Sequence, residues 1–443
     1  MKTPVCDFVR AYAESDSCRL HMPGHKGKGP LGIEVLDITE IGGADVLYHS
    51  EGILKQSQEN AAALFGTVKT LYSAEGSSLA IRAMVALVAM RSAGRPRIAA
   101  GRNAHKVFMS ACALLDVDVD WLYPDPGSAL VCCDISAAYL EKYLSDQTVK
   151  PDAVYITSPD YLGNIADISG IAEVCHRYGV LLLVDNAHGA YLRFLSASLH
   201  PMDLGADLCC DSAHKTLPVL TGGAYLHISS SAPRDLAEQA ENAMALFAST
   251  SPSYLILQSL DAANRYLAGG YRQRLEEMAQ SVAEMKCRLQ TAGFHMIGEE
   301  PLKVTVSART YGYFGDHLAR ILEESGLICE FSDPDYVVFM VTPENTRDDL
   351  RALEAALCNI PRKAAIVPPM LPKSVPVRKL SIREAILSPK EHLPLNKCRD
   401  RVLGDAAVSC PPAVPVAVCG ELLDDAVLEK MHYYGITECD VVK

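Results

Sequence analysis

The chain has no long apolar segment. None of its apolar runs reaches the roughly 18 residues that a membrane-spanning helix needs, and the longest candidate, residues 79–90, contains Arg82. The first residues, MKTPVCDF, lack an apolar stretch of signal-peptide length. We therefore expect a cytoplasmic protein without a membrane partner.

Positive charge is also in short supply. The 443 residues include 41 Lys and Arg against 54 Asp and Glu, which gives a net charge of −13. A nucleic-acid surface needs a basic patch, so this balance predicts no nucleic-acid partner. It says little about a small-molecule substrate, because a local site can oppose the charge of the whole molecule.

Metal-binding motifs, the esterase motif and the P-loop are missing. The 15 cysteines include no C-x-x-C, and the adjacent pairs Cys132-Cys133 and Cys209-Cys210 would point to opposite faces of a strand. His21 lies in a Pro/Gly-rich loop without the Glu of the metalloprotease motif. Neither G-x-S-x-G nor a P-loop occurs. We expect buried, reduced thiols and no metal.

Short apolar runs alternate with longer amphipathic stretches. The runs predict strands at 70–73, 97–100, 153–157, 180–184, 208–210 and 223–228, with helices at 79–91, 106–115 and 168–178. This order is typical of an α/β domain whose mostly parallel sheet is covered on both faces. In such folds, ligands bind beyond the carboxyl ends of the strands.

The remaining segments complete a four-part organisation. A long helix over residues 252–292, interrupted near Gly269-Gly270, precedes a β-α-β-α pattern typical of a small α+β domain. The predicted parts are a lead-in segment, a large domain, a linker helix with a small α+β domain, and a C-terminal domain, at residues 1–60, 61–250, 251–362 and 363–443.

A lysine and an acid follow two of the predicted strands. Lys215 lies in a polar turn after Cys210, and Asp185 follows Val184. Pyridoxal phosphate (PLP) enzymes need a lysine that holds the cofactor as a Schiff base and an acid that keeps the pyridine nitrogen protonated. The alternatives are a surface lysine in a turn and an aspartate that caps a helix.

Further polar groups occur at strand ends. Gly76-Ser77-Ser78 opens a predicted helix, where free N–H groups, hydroxyls and the helix dipole suit a phosphate, although an ordinary serine cap explains the motif too. His105, His188 and His214 follow three of the strands. An imidazole in such a place can stack on a ring or exchange a proton near neutral pH.

At these residues the chain resembles the Orn/Lys/Arg decarboxylase family, which has the aspartate-aminotransferase fold (fold type I of the PLP-dependent enzymes). The similar segments are LHMPGHK (20–26), DITE (37–40), ALFG (63–66), GSS (76–78), RNAHK (102–106), ITSP (156–159), VDNAHGA (184–190), SAHK (212–215), STSPSY (249–254), REA (383–385) and PP (411–412). The resemblance implies a large domain with a seven-stranded, mostly parallel sheet and smaller α+β C-terminal domains.

The resemblance also implies roles for single residues. Lys215 would carry PLP, Asp185 would pair with the pyridine nitrogen, and His188 would lie near the imine. His105 would stack on the ring. The remaining implied contacts are to the phosphate, from Gly76, Ser77, Ser78, Ser212 and His214 of one subunit and from Thr250 and Ser251 of its partner in a homodimer or larger assembly.

Some positions depart from the family pattern. Asn186 stands where Glu is usual, Ala104 where Cys is usual, Gly222 near a usual Gln, and Cys410 where Tyr is usual. The similarity starts almost at residue 1, so we expect a short form without the N-terminal wing domain of the long members.

The resulting hypothesis is PLP-dependent α-decarboxylation of an amino acid, with arginine, lysine or ornithine as the expected substrate. Glu330 or Asp333 could meet a distal cation, as could an acid of a partner subunit. Another fold type I reaction, transamination or elimination, would use Arg309 or Arg383 to hold the substrate carboxylate. A non-catalytic PLP-binding relative is the third possibility.

Overall fold

The computed structural model describes residues 1–123, 132, 134–372, 375–405 and 416–443. Cys133, the departure at Cys410 and the Pro411-Pro412 motif lie outside the described residues. The chain divides into a first compact unit, residues 1–93, 140–156 and 167–273, and a second, residues 94–139, 157–166 and 274–443. The four-part organisation drawn from the sequence stays a prediction.

All six strands predicted from the apolar runs at 70–73, 97–100, 153–157, 180–184, 208–210 and 223–228 are present. The described strands are β1 (Lys69–Ser73), β2 (Arg97–Gly101), β3 (Asp118–Leu122), β4 (Ala153–Thr157), β5 (Leu181–Asp185), β6 (Leu208–Asp211), β7 (Ala224–Ile228), β8 (Met296–Ile297), β9 (Lys303–Ser307), β10 (Phe331–Ser332), β11 (Tyr336–Met340), β12 (Lys390–Pro394) and β13 (Glu438–Val442).

The three helices predicted at 79–91, 106–115 and 168–178 are present as α3, α4 and α6. The described α-helices are α1 (Pro4–Ala13), α2 (Ile53–Phe65), α3 (Ser77–Arg91), α4 (Lys106–Leu115), α5 (Ala137–Asp146), α6 (Ile168–Arg177), α7 (Ala213–Thr216), α8 (Arg234–Ala245), α9 (Tyr254–Ala268), α10 (Tyr271–Thr291), α11 (Gly315–Glu323), α12 (Arg347–Cys358), α13 (Ile382–Leu387) and α14 (Asp425–Tyr433).

The main sheet has seven strands in the order β1-β7-β6-β5-β4-β2-β3. β5 runs parallel to β6, and β2 runs parallel to β3. β7 is antiparallel to both of its neighbours, β1 and β6. The predicted α/β fold with a mostly parallel seven-stranded sheet is therefore confirmed.

Local chemistry explains several helix boundaries. α2 ends at Gly66, whose φ of +70° is the left-handed C-cap geometry that glycine adopts without strain. The long predicted helix is two helices, α9 and α10, separated at Gly269-Gly270, and Gly270 has φ +86°. α3 is apolar around most of its circumference and is buried along most of its length, from Leu79 to Val88.

β3, α5 and α8 are among the elements that the apolar runs did not predict. β3 (DVDWL) alternates polar and apolar residues because it is the edge strand of the main sheet. α5 and α8 are short helices with few buried residues, two in α5 and four in α8. Their apolar faces are too narrow to stand out in the sequence.

Two expectations about composition can be compared with the fold. Within the described part of the chain, no helix is both long and apolar enough to cross a membrane. The 13 described cysteines are all free thiols, and eight of them are buried. Burial raises the pKa of several of these thiols, for example to about 12 for Cys175, so they act as small apolar side chains.

The second unit contains a four-stranded sheet in the order β10-β11-β9-β8, with antiparallel pairing. Asp333 lies in the turn between β10 and β11, where its Oδ1 accepts the N–H groups of Asp335 and Tyr336 at 2.7 Å each. Burial, with the nearby charges of Asp335 and Asp316, raises the pKa of Asp333 to about 7 despite these two hydrogen bonds.

We predict that Asp333→Asn stabilises the protein at pH 8 but much less at pH 5. The folded-state pKa of Asp333 lies above the ordinary value, so the folded protein loses stability as the pH rises from about 4 to 7. The amide keeps the acceptor and removes the charge, with an upper limit of about 4 kcal/mol. Thermal unfolding at both pH values measures this difference.

The exposed Asp348→Asn variant is the matched control, and its effect should not change with pH. An Asp333→Asn effect of the same size at pH 5 and pH 8 would contradict the assignment.

Candidate active site

Three strand ends of the first unit meet at one edge of the sheet. β5 and β6 are parallel, and β1 runs in the direction of β6 because β7 is antiparallel to both. The carboxyl ends of β1, β5 and β6 therefore lie on the same side. These ends lead to Gly76-Ser77, Asp185 and the Ser212–Lys215 turn, as the sequence predicted.

Lys215 forms the centre of this edge. It lies in the single-turn helix α7, and its Nζ is 2.9 Å from Nε2 of His188. His188 is 5% exposed and is carried by the turn that follows β5. The structure thus brings together two residues that are 27 positions apart and that were both predicted as catalytic.

Asp185 is buried at the end of β5, with 2% of its surface exposed. Its Oδ2 accepts a hydrogen bond from the Tyr155 hydroxyl at 3.0 Å, and its Oδ1 accepts from the Ala187 N–H at 3.2 Å. A buried carboxylate is costly without a cationic partner, so this environment suits a protonated ring nitrogen. Tyr155, on β4, was missed because nothing in the sequence pairs it with Asp185.

The start of α3 offers an anion cradle. Gly76 is its N-cap with φ +70°, and no side chain caps the first turn. A Cβ added to Gly76 would meet nothing closer than the Ser78 nitrogen at 3.9 Å, so the space above the turn is open. The Ser212 hydroxyl donates to the Ser77 hydroxyl at 2.8 Å, which joins this turn to the lysine turn. Backbone N–H groups, hydroxyls and the helix dipole together suit a phosphate.

His214 has a structural role in the same turn. Its backbone N–H and its Nδ1 both donate to the Gly223 carbonyl, at 3.1 and 3.0 Å. Burial lowers its pKa, and the charge of Lys215 adds to this effect. The neutral ring, with its proton on Nδ1, has no N–H left on Nε2 to donate to a phosphate. The predicted phosphate contact of His214 therefore requires a protonated ring.

Three other predicted site residues have clear positions. His105, in the second unit, is the N-cap of α4, and its Nδ1 accepts the Val107 N–H at 3.2 Å. Thr250 and Ser251 are exposed in the segment between α8 and α9. Their contacts with a ring or with a partner's phosphate stay predictions.

The residues proposed for other substrate contacts already have partners or lie exposed. Arg309 is buried and forms an ion pair with Asp335. Arg383 donates to the Ala113 carbonyl at 2.7 Å, near the end of α4. Glu330 is exposed, whereas Asp333 accepts a hydrogen bond from a backbone N–H of its own turn.

Three of the four departures from the family pattern lie among the described residues. Ala104 is fully buried. Gly222 has φ +98°, and its carbonyl accepts the Gly76 N–H at 2.7 Å, which supports the anion cradle. Asn186 is fully buried and donates to Asp211 at 2.7 Å.

Comparison with known proteins agrees with this geometry. Residues 3–306 match the model of the major domain of the Orn/Lys/Arg decarboxylases. The chain belongs to the Orn/Lys/Arg decarboxylase family. This membership confirms the resemblance drawn from the motifs and identifies the chain as an enzyme of a decarboxylase family.

Individual relatives extend over nearly the whole chain. An arginine decarboxylase of Bacillus subtilis (strain 168) is 28% identical, over 96% of this chain and 92% of the relative. One from Halalkalibacterium halodurans is 29% identical, with the same coverage of 96% and 92%. The solved lysine decarboxylase of Francisella novicida has a TM-score of 0.80 at 16% identity, over 100% of this chain and 81% of that one. The last comparison shows the shared fold.

We predict that inorganic phosphate raises the melting temperature of the cofactor-free protein, because a ligand that binds only the folded state stabilises it. Ser212→Ala should weaken phosphate binding about fivefold, the effect of one lost hydrogen bond of about 1 kcal/mol. Melting curves over a phosphate titration give both values.

Ser145→Ala removes an exposed hydroxyl from α5 and is the matched control. The cradle would be refuted by an equal rise in melting temperature with sodium chloride at the same ionic strength.

Proposed function

We propose that this enzyme removes the α-carboxyl group of a basic amino acid, arginine first among them, with PLP as its cofactor. The observation that carries the proposal is the Lys215–His188 pair, with Nζ and Nε2 2.9 Å apart, at the sheet edge that also holds Asp185 and the anion cradle. Family membership supports decarboxylation as the reaction.

The residues of this edge fit PLP part by part. The uncapped first turn of α3, with Ser77, Ser78 and Ser212, would hold the phosphate. Lys215 Nζ would hold the aldehyde carbon, and Asp185 would face the ring nitrogen. When bound, the cofactor supplies an electron sink for the electron pair that departing CO2 leaves behind.

The protein's own groups hold and transfer the protons. Asp185 keeps a buried negative charge, with hydrogen bonds from Tyr155 and Ala187, where a ring N–H can be held. A Lys215 amine that does not hold the cofactor would lie beside His188 Nε2, 2.9 Å away. Either atom can deliver the proton that replaces the carboxylate at Cα. Because the two atoms are close, the other can then return a proton to the one that donated.

The substrate class follows from the family and its relatives. The family is that of ornithine, lysine and arginine decarboxylases, and the two curated relatives compared above are named arginine decarboxylases. We therefore place arginine before lysine and ornithine. Exposed Thr250 and Ser251 suit a contact with a second subunit, and we propose a homodimer.

A transaminase is the runner-up reaction on this fold. Such an enzyme needs an arginine for the substrate carboxylate, and Arg309 and Arg383 both have structural partners. This observation favours decarboxylation.

We predict that the PLP-loaded enzyme releases CO2 from arginine faster than from lysine or ornithine. A panel of the 20 amino acids, assayed for both CO2 and oxo-acid, separates decarboxylation from transamination. Equimolar CO2 and amine support the proposal. Oxo-acid without CO2 would replace it with transamination, and a PLP-bound protein without turnover of any amino acid would identify a non-catalytic relative.

We also predict that Lys215→Ala lowers the decarboxylation rate at least 1000-fold, because the general acid and the cofactor attachment are lost together. Steady-state rates at saturating PLP test this. The exposed Lys55→Ala variant, on α2, should retain the wild-type rate. A Lys215→Ala enzyme with more than a tenth of the wild-type rate would exclude this lysine.

A further inference from the structure

A line of buried polar side chains crosses the main sheet next to the site. Thr70 Oγ1 lies 2.8 Å from Nδ1 of His227, and His227 Nε2 lies 3.0 Å from Asp211 Oδ2. Asn186 Nδ2 donates to Asp211 Oδ1 at 2.7 Å. The line thus runs from β1 through β7 and β6 to the end of β5, and its four members are at most 1% exposed.

Asp211 is the acceptor on which this line converges. His200 Nδ1 accepts the Met202 N–H at 3.3 Å, so the His200 proton is on Nε2, which donates to Asp211 at 3.0 Å. Two imidazoles and one amide therefore donate to a single carboxylate. Burial alone would raise the pKa of Asp211, but His200 and His227 outweigh it and hold the pKa well below its usual range.

The same atoms resemble a metal site only in their spacing. Ligand atoms of His200, Cys209 and Asp211 lie within 4.8 Å of one another. Each ring nitrogen that faces Asp211 is already a donor to it, and the Cys209 thiol lies 3.6 Å from Oδ1. Hydrogen bonding accounts for the cluster.

The position of the Asn186–Asp211 bond connects it to the site. Asp211 is the last residue of β6 and directly precedes the turn with Lys215, whereas Asn186 directly follows Asp185. The Asn186 backbone N–H also donates to the Cys210 carbonyl at 3.0 Å. Successive side chains near a strand end point to opposite faces, so Asn186 points away from Asp185. Its bond to Asp211 therefore joins the two strand ends on the face opposite to Asp185.

The turn that carries His188 is built around Asn186. The Gly189 N–H donates to the Asn186 backbone carbonyl at 2.8 Å. A Cβ at residue 189 would come within 1.9 Å of Asn186 Oδ1, so only glycine fits against this side chain. Asn186 therefore fixes the path of the chain from Asp185 to His188.

From this geometry we propose that Asn186 and Asp211 are positioning residues, which hold Asp185, His188 and Lys215 at the separations that the cofactor requires. This inference rests on the function proposed above. The pair works because an amide donor faces a carboxylate acceptor. A second carboxylate at residue 186 would face Asp211 at hydrogen-bond distance and repel it.

The test uses isosteric exchanges in the full-length, PLP-loaded enzyme. Asn186→Asp places two carboxylates face to face, and Asp211→Asn removes the acceptor charge. Each should speed cofactor release at least tenfold and shift the pH midpoint of the bound cofactor's absorbance by at least about half a unit. The N186D/D211N exchange restores one donor and one acceptor, and both values should return to within threefold and 0.2 units, roughly, of the wild type.

A merely structural role predicts a different outcome. Leu267→Ala, a buried cavity variant on α9 outside this line of side chains, should lower the melting temperature without moving the pH midpoint. Single variants that resemble Leu267→Ala in this respect would overturn the inference, as would an exchange variant no better than either single one.

A misfolded variant and a failure of the proposed function can both be distinguished from a failure of this inference. If Asn186→Asp does not fold, Asn186→Ala removes the donor without adding a charge and should still speed cofactor release severalfold. An unaffected release rate in that variant would equally refute the pairing. A wild-type protein that binds no PLP would refute the proposed function itself, which is a separate result.

Discussion

The site depends on one constraint, the common direction of β1, β5 and β6. Because these strands run the same way, their carboxyl ends share an edge, and each delivers a different part of the site: the anion cradle at Gly76-Ser77, the acid at Asp185 and the lysine at Lys215. β7 makes this arrangement possible by pairing antiparallel with both β1 and β6. A β7 that was parallel to β6 but still antiparallel to β1 would reverse β1 and send the cradle to the opposite edge.

The two buried carboxylates at this edge of the sheet differ in their partners. Asp185 and Asp211 end neighbouring strands, and both are at most 2% exposed. Among the residues that the structure describes, Asp185 accepts only from neutral donors, the Tyr155 hydroxyl, the Ala187 N–H and the Cys210 thiol, and suits a cationic ring. Asp211 has a complete set of donors from within the protein. A buried carboxylate whose oxygens all accept hydrogen bonds from the protein can stabilise the fold. A buried carboxylate that lacks a cationic partner is suited to bind a cation.

Much of this could be predicted from the sequence, and the exceptions have a common cause. Lys215, Asp185 and Gly76-Ser77 each follow an apolar strand, so local pattern and the rule for strand ends are sufficient to group them. Tyr155 and the Asn186–Asp211 pair could not be found this way, because their roles come from contacts between strands distant in sequence. β3 was missed because an edge strand carries no continuous apolar run. The departure at Asn186 was visible in the sequence, but its meaning needed the facing carboxylate.

The most direct test of the account is the site of cofactor attachment. Wild-type protein is incubated with PLP, reduced with borohydride and digested, and the peptides are analysed by mass spectrometry. The account predicts one modified peptide, with a single reduced pyridoxyl phosphate group on Lys215 at close to one group per chain. Modification of a different lysine, or of none, would contradict it.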